Sequence, residues 1–468
     1  MRELHFSFFK FQKGSITPAL LIITGAFLTV IYGLLILLAL QVDYSNRQLA
    51  SEQALNIAEA GVNYYRWHLA HDPNDFQDGT GQPGPYIHQY TDPEGGVVGT
   101  YSLEIIPPQS GSSIVTIRST GSTQRYPNVR RTIEAQYGIP SLTRFSFLQN
   151  SSAWYGTNIT VNGDVHSNGG IRMDGINTAR VTSARETYIC GSETGCSTPT
   201  QRPGVWGSGG DRNLWEFPVP LVDFNSISFD FAAMRDSAQQ NGLYLNNSGL
   251  GYRLIFNSNG TVNVRRVTST SWYNGYDPND NPVCQRRYQV ITGQNNIGTY
   301  NVRDLPIIFA ENYLWVEGTI NGRTTVVAAR FPLSTNFIDI WIPNNLVYAS
   351  YDGSNALGLI AQDSIYFGRD IPENFQVDAA LLAQGGRIMR HGYYSSCGSA
   401  GSHNIKDSLT INGSVMSYEK SYWNYLMGGN LVSGFITRTI NYDGNLLFGP
   451  PPYFPTSGEY QFLNWKEI

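Results

Sequence analysis

Asn158–Gly175, NITVNGDVHSNGGIRMDG, decides the fold of most of this chain. Short apolar pieces recur between Gly and Asn turns, and at the centre stands Val161-Asn162-Gly163-Asp164-Val165, a hydrophobic-x-Gly-x-hydrophobic core. The same core returns as Val316-Glu317-Gly318-Thr319-Ile320 and as Ile411-Asn412-Gly413-Ser414-Val415. Related texture fills Leu357–Asp370 and Val377–Arg390. A strand this short exposes a face it cannot bury alone, and stacking rung on rung buries that face in one continuous core. Gly permits the positive φ of a sharp bend and Asn tolerates it, and Asn side chains at such bends are placed to ladder between rungs. These features predict a right-handed parallel β-helix in two parts, 141–205 and 306–450. Irregular repeats and long insertions keep an ordinary β-sandwich as the competing architecture.

Between the two parts, 206–305 breaks the pattern and reads as an inserted α/β lobe. Phe229–Gln239 has the look of a short helix ended by Asn241-Gly242. YRLIFNSNGTVNVRRV reads as a hairpin, with Leu254 and Phe256 going out, Asn259-Gly260 turning, and Val262 and Val264 returning. The tail, 451–468, is rich in Pro and aromatics and is expected to cap or cross the last rung. On the N-terminal side, 71–140 reads as a small antiparallel β module. Its strands are VVGTYSLEII, SSIVTIRSTG and VRRTIEAQY, with Tyr101, Leu103 and Ile105, then Val115 and Ile117, then Ile133 and Ala135 in alternation.

The first 70 residues are helical in pattern. Residues 1–15 form a basic leader with Arg2, Lys10 and Lys13 against Glu3. From Ile16 to Leu40 no residue is charged, and 16–42 is long enough to cross a bilayer. Basic flanks stay cytoplasmic, which places the N-terminus inside and the body outside. Residues 43–70 continue the helix, and small Ala54, Ala58 and Gly61 allow close approach of a packing partner. That partner is either the chain's own domain or another helix in a filament core. Charged residues are only 14% of the chain against 48 glycines and 13% aromatics, as in secreted β structure with many turns. A net charge of -5 supplies no field for nucleic acid.

Lys13-Gly14-Ser15, the apolar run, and then QALNIAEAGVNYYRWHL resemble the N-terminal region of PilX-type minor pilins of type IV pilus systems, and more broadly pseudopilins. Gln53–Gly61 is the most specific part. The resemblance implies cleavage by a prepilin peptidase between Gly14 and Ser15, and pilin or pilus-assembly subunits as partners of the helix. It also implies a small antiparallel sheet after the helix. Ala19 stands where that family carries glutamate, and Ser15 where it carries an aromatic residue. VNGDVHSNGGI also looks like the body of β-helical surface proteins found behind PilX-like N-termini.

Reactive chemistry is sparse. Outside the cytoplasm the four cysteines default to disulfides. Cys190 and Cys196 flank a loop short enough for a bridge, which leaves Cys284 with Cys397 by elimination among three connectivities. A four-Cys zinc site competes, but the Cys190–Cys196 spacing is wider than a zinc knuckle. Asp277, Asn279, Asp280 and Asn281 are oxygen-rich calcium candidates, outweighed by the reading as an Asp/Asn/Pro turn. None of the seven histidines sits in a catalytic motif. Asp164, Asp363 and Asp370 lie near strand edges, where a carboxylate pair would suit glycoside chemistry. No catalytic residue and no cofactor is assigned. The expectation is therefore a non-enzymatic, single-pass membrane protein of a pilus or related surface assembly, whose partners are the lipid bilayer, pilin subunits and surface glycans. The alternative is a membrane-anchored carbohydrate-active or carbohydrate-binding protein.

Overall fold

The computed structural model describes residues 16–108, 112–224, 230–279, 282–393, 395–397, 404–456 and 459–468. The protein is mainly β, with one long N-terminal helix, α1 (Ile16–His71). It divides into two compact units. The first holds the described part of Met1–Pro107 with Val115–Tyr137 and Phe462–Ile468; the second holds Pro108–Ile114 and Gly138–Gln461. In chain order, most of the second unit is thus an insertion in the first.

In the first unit, β1 (Tyr86–Thr91), β2 (Val97–Ile106), β3 (Ile114–Thr123) and β4 (Arg130–Gly138) lie side by side in that order. β1 with β2 and β2 with β3 pair antiparallel. Leu103, Val115, Ile117, Ile133 and Ala135 are buried, as the alternation predicts. The last strand, Gln461–Glu467, joins this sheet beside β4. The C-terminal tail therefore has two roles, because its earlier part crosses the rungs of the second unit. There the Arg323 guanidinium donates to the carbonyls of Gly449 and Pro450, and Phe454 is buried.

The second unit is built on parallel ladders. In the longest, Leu243, Ile308, Val326, Leu359, Leu381, Val415, Phe147, Val165, Val181 and Trp215 occupy one column in register. A second ladder aligns Leu314, Ile340, Ile365 and Ile388. A third aligns Leu346, Val377, Ile411, Ile440 and Val161. The buried members of all three columns belong to one core, with Leu243 and Trp215 packed against it.

Rung order is not chain order. The chain enters at Phe147–Gln149, beside Val415–Ser417, and runs through Val165 and Val181 to Trp215 at one end. It then crosses to Leu243–Leu245, beside Ile307–Ala310, and winds back to Val415. The crossover includes α2 (Asp230–Asn241). It is needed because the outer column of the longest ladder is apolar too: Phe309, Val327, Ile360, Leu382, Met416 and Leu148. Phe231, Met234 and Ala238 of α2 bury this column together with Phe224 and Phe454. Parallel strands covered on both faces read as near-continuous apolar runs, which accounts for IIFA at 307–310 and ALLA at 380–383.

Residues 206–305, expected as one lobe, are thus distributed over the last rung at Trp215, the crossover, the rung at Leu243–Leu245, and a long hairpin. Gly251–Asn257 pairs antiparallel with Thr261–Tyr276 as predicted, Leu254 facing Val264 and Phe256 facing Val262. Gly251–Asn257 is also a rung, pairing parallel with Leu314–Gly318. Thr261–Tyr276 and Cys284–Asn301 complete the hairpin, and its Val267 packs with Trp315, Trp341 and Tyr393 in a separate small core.

Amide side chains stack along the third ladder. Asn412 donates to Asp378 at 2.7 Å, Asn441 to Asn412 at 2.9 Å, and Asn162 to Asn441 at 2.8 Å. Asp378 ends the row and is fully buried. Its other donors are the Tyr348 amide (2.9 Å), the Tyr351 hydroxyl (2.7 Å) and the Gln376 amide (2.9 Å). Gly163 and Gly413, which follow two of these asparagines, have φ of +136° and +146°. A Cβ on Gly413 would collide with the carbonyl oxygen of Ala379 on the next rung.

Candidate functional site

α1 has two halves of opposite character. Its upper half is exposed at every residue from Ile16 to Ser45 and has a mean hydropathy of 2.6 in its most apolar window. It is long and apolar enough to cross a bilayer. Two of its hydroxyls are satisfied within the helix: Thr24 donates to the Leu20 carbonyl and Thr29 to that of Gly25, each at 2.8 Å. In lipid no water would do this. The lower half buries Ala50, Ala54, Ile57, Ala58, Gly61, Val62, Tyr65 and Leu69. Ala54 and Ala58 lie against Gly121 of β3, where a Cβ would strike the backbone of both. Gly61 faces Tyr101 and Ser119 with no space for a methyl group. These small residues therefore serve close packing of helix on sheet within the unit. The opposite face of this half leaves Glu52, Asn56, Glu59, Asn63 and Trp67 exposed. Gly14 and Ser15 lie outside the described residues.

Both disulfides are present. Cys190 and Cys196 have Cα atoms 5.7 Å apart, and Cys284 and Cys397 5.3 Å. The Cys190–Cys196 loop presents the carbonyls of Thr194 and Gly195 to Arg172 at 3.2 and 3.1 Å. Arg172 stacks between Trp154 and Trp206, at 4.5 and 4.9 Å from their ring centres, because the three share one parallel register. Arg202 covers the Trp206 ring at 4.6 Å. Beside them, burial brings Lys420 down to about 8, with Trp154 and Tyr422 as its aromatic neighbours.

The oxygen-rich loop is a braced turn. Asp277 accepts from the Asn279 amide at 3.0 Å, and its carboxylate pairs with Arg387 at 3.1 Å. Asp280 and Asn281 lie outside the described residues. Among the described residues, no three His, Cys, Asp or Glu side chains are grouped to hold a metal ion. Of the three edge carboxylates, Asp370 pairs with Arg369 at 3.4 Å and Asp164 with Arg180 at 2.7 Å. Asp363 hydrogen-bonds Asp339, a partner the sequence does not single out, and is held above the usual carboxylate range by burial and then by the charge of Glu419.

A groove of about 670 Å³ opens where the covered outer column turns polar. After Leu148 that column continues as His166, Thr182 and Glu216. His166 is buried. The Thr182 hydroxyl meets its Nδ1 at 2.9 Å, and its Nε2 meets the Asn168 carbonyl oxygen at 3.1 Å. That oxygen is fixed as an acceptor by the Val222 amide, while the Asn168 amide donates to the Val222 carbonyl. The pattern places a proton on Nε2. Burial holds His166 below its usual value.

The rest of the groove combines charge with apolar surface. Gly163 and Asp164, from the stretch that decides the fold, form one wall with Tyr442. Arg180 grips Asp164 through its guanidinium and, at 3.2 Å, through its backbone amide. Arg144 lies 4.7 Å over the Phe145 ring and forms no ion pair among the described residues. Its proton affinity is reduced by partial burial and next by the charge of Arg180. The Tyr442 hydroxyl is buried without a hydrogen-bond partner among the described residues, and burial pushes it up to about 12. Val219, Pro220, Val222 and Phe448 supply apolar lining.

No protein-family model matches this chain. No curated protein matches it in sequence. Among solved structures, the competence-associated pilin ComZ from Thermus thermophilus is similar at 13% identity over 90% of this chain and 98% of its own, with a TM-score of 0.30. An ice-binding protein from the Antarctic ascomycete Antarctomyces psychrotrophicus is similar at 10% identity over 64% of this chain and 95% of its own, with a TM-score of 0.24.

Proposed function

We propose that this chain is a minor-pilin-like component of a type IV pilus or related surface assembly. Its second unit, a right-handed β-helix, is displayed outside the cell for adhesion. The observation that supports this best is the division of α1: an upper half with every apolar side chain exposed, continuous with a lower half buried on its own sheet. An ordinary soluble helix would bury an apolar stripe along its whole length. Arg2, Lys10 and Lys13 set the N-terminus inside, cleavage after Gly14 frees Ser15, and the apolar half then packs in lipid or among pilin helices. Shearing surface filaments from the native cells tests this. The protein is expected in the sheared fraction with the major subunit, and its confinement to the membrane fraction would defeat the assembly reading.

One observation favours a second reading, an anchored carbohydrate-active enzyme. Asp363 and Asp339 form a hydrogen-bonded carboxyl pair, and burial holds Asp363 above the usual carboxylate range, the direction in which a general acid is tuned. Turnover of a surface polysaccharide that Asp363→Asn abolishes would favour it; binding without turnover would favour display.

A further inference from the structure

We infer that the groove beside Asp164 binds a single carboxylate-bearing sugar, a hexuronate residue within a surface polysaccharide. The inference rests on reading the β body as an outward display module and gives that module a ligand class.

Arg144 points to the carboxylate. The two arginines of the groove are not equivalent. Arg180 is committed to Asp164, whereas Arg144 has an aromatic ring beneath it and no carboxylate of its own among the described residues. Planar guanidinium groups recognise carboxylates through paired N–H donors. An arriving carboxylate would also relieve the repulsion between Arg144 and Arg180.

The remaining walls suit a sugar ring. Asp164 and Glu216 offer acceptors to hydroxyl groups, and Phe448, Val219 and Pro220 offer apolar surface to ring C–H groups. A volume of about 670 Å³ matches a site for one or two sugar residues. Nucleic acid fits less well. Two carboxylates share these walls, and the chain carries a net charge of -5, so a run of phosphates would be repelled.

The test uses the full chain in detergent micelles with three probes: the methyl glycosides of galacturonate, glucuronate and mannuronate, which carry one carboxylate each, every one paired with its methyl ester. Calorimetry should detect binding of at least one acid form, with its ester weaker by about tenfold or more. Arg144→Gln should weaken that binding by about tenfold. The glutamine variant should unfold close to wild type, because Arg144 forms no ion pair among the described residues. No binding to any of the three acids, equal binding of acid and ester, or full binding by Arg144→Gln would each overturn the inference. So would an Arg144-dependent preference for single-stranded DNA. Filament shearing does not depend on the groove, so failure of the display reading registers separately from failure here.

Discussion

Asn162 donates its side-chain amide to Asn441 at 2.8 Å, although the two residues are 279 positions apart in the chain. Asn441 in turn donates to Asn412 at 2.9 Å. This junction joins the early rungs, entered at Phe147, to the late rungs that wind back to meet them. A side-chain row therefore reports directly on how the β body is ordered.

Asn441→Ala removes the middle of the row. It strands the Asn162 amide and the Asn412 carbonyl oxygen, and groups left without partners cost about 1–3 kcal/mol. Chemical denaturation should show a loss of that size. A variant as stable as wild type would mean that water replaces the row at no cost.

Gly413→Ala is expected to be worse than its volume suggests. Its φ of +146° excludes an L side chain, and the added Cβ meets backbone, which has no rotamer to change. A loss of about 1–3 kcal/mol follows from strain alone, before the clash is counted. Gly428→Ala makes the comparison: its φ is also positive, at +55°, but nothing lies within 4 Å of the added Cβ, so it should lose less.

Gly121→Ala tests the seam in the first unit. The methyl group would be driven into the backbone of Ala54 and Ala58, lifting α1 off β3. Overpacking of this kind costs about 1–3 kcal/mol. Limited proteolysis should cut the lower half of α1 sooner in the variant, while the β body keeps its own resistance.

His166 makes stability depend on pH. Its folded value is depressed while the unfolded chain titrates near the ordinary value of about 6.5. Between those values the unfolded state binds more protons, so stability rises with pH. The contribution is complete above about pH 6.5 and is lost as pH falls through that value toward the folded one. His166→Gln should flatten the unfolding midpoint between pH 5 and 7; an unchanged slope would remove His166 as its source.

Individual strands of the parallel ladders were legible because their signal is local. Val161–Val165 and Ile411–Val415 carry their bend glycine within five residues, and Asn257–Thr261 carries its hairpin turn in the same way. The order of rungs was not legible. Val415 pairs with Phe147 across most of the chain, and a parallel partner of similar apolar character leaves no mark in either segment. The last strand, Gln461–Glu467, was hidden for the same reason, since its sheet partner β4 precedes the whole insertion in the chain. β1 was hidden in the residues following a Gly- and Pro-rich loop. In the groove, Gly163 and Asp164 belong to the deciding stretch, but Arg144 and Tyr442 reach it through the fold alone. Asp339 becomes a partner of Asp363 in the same way.

The central claim is that α1 is a processed pilin-type anchor carrying an external β body. N-terminal sequencing of the mature protein from the native cell surface tests it most directly. The account predicts a chain beginning at Ser15. A chain beginning at Met1 would contradict prepilin-type processing and leave a plain anchored protein.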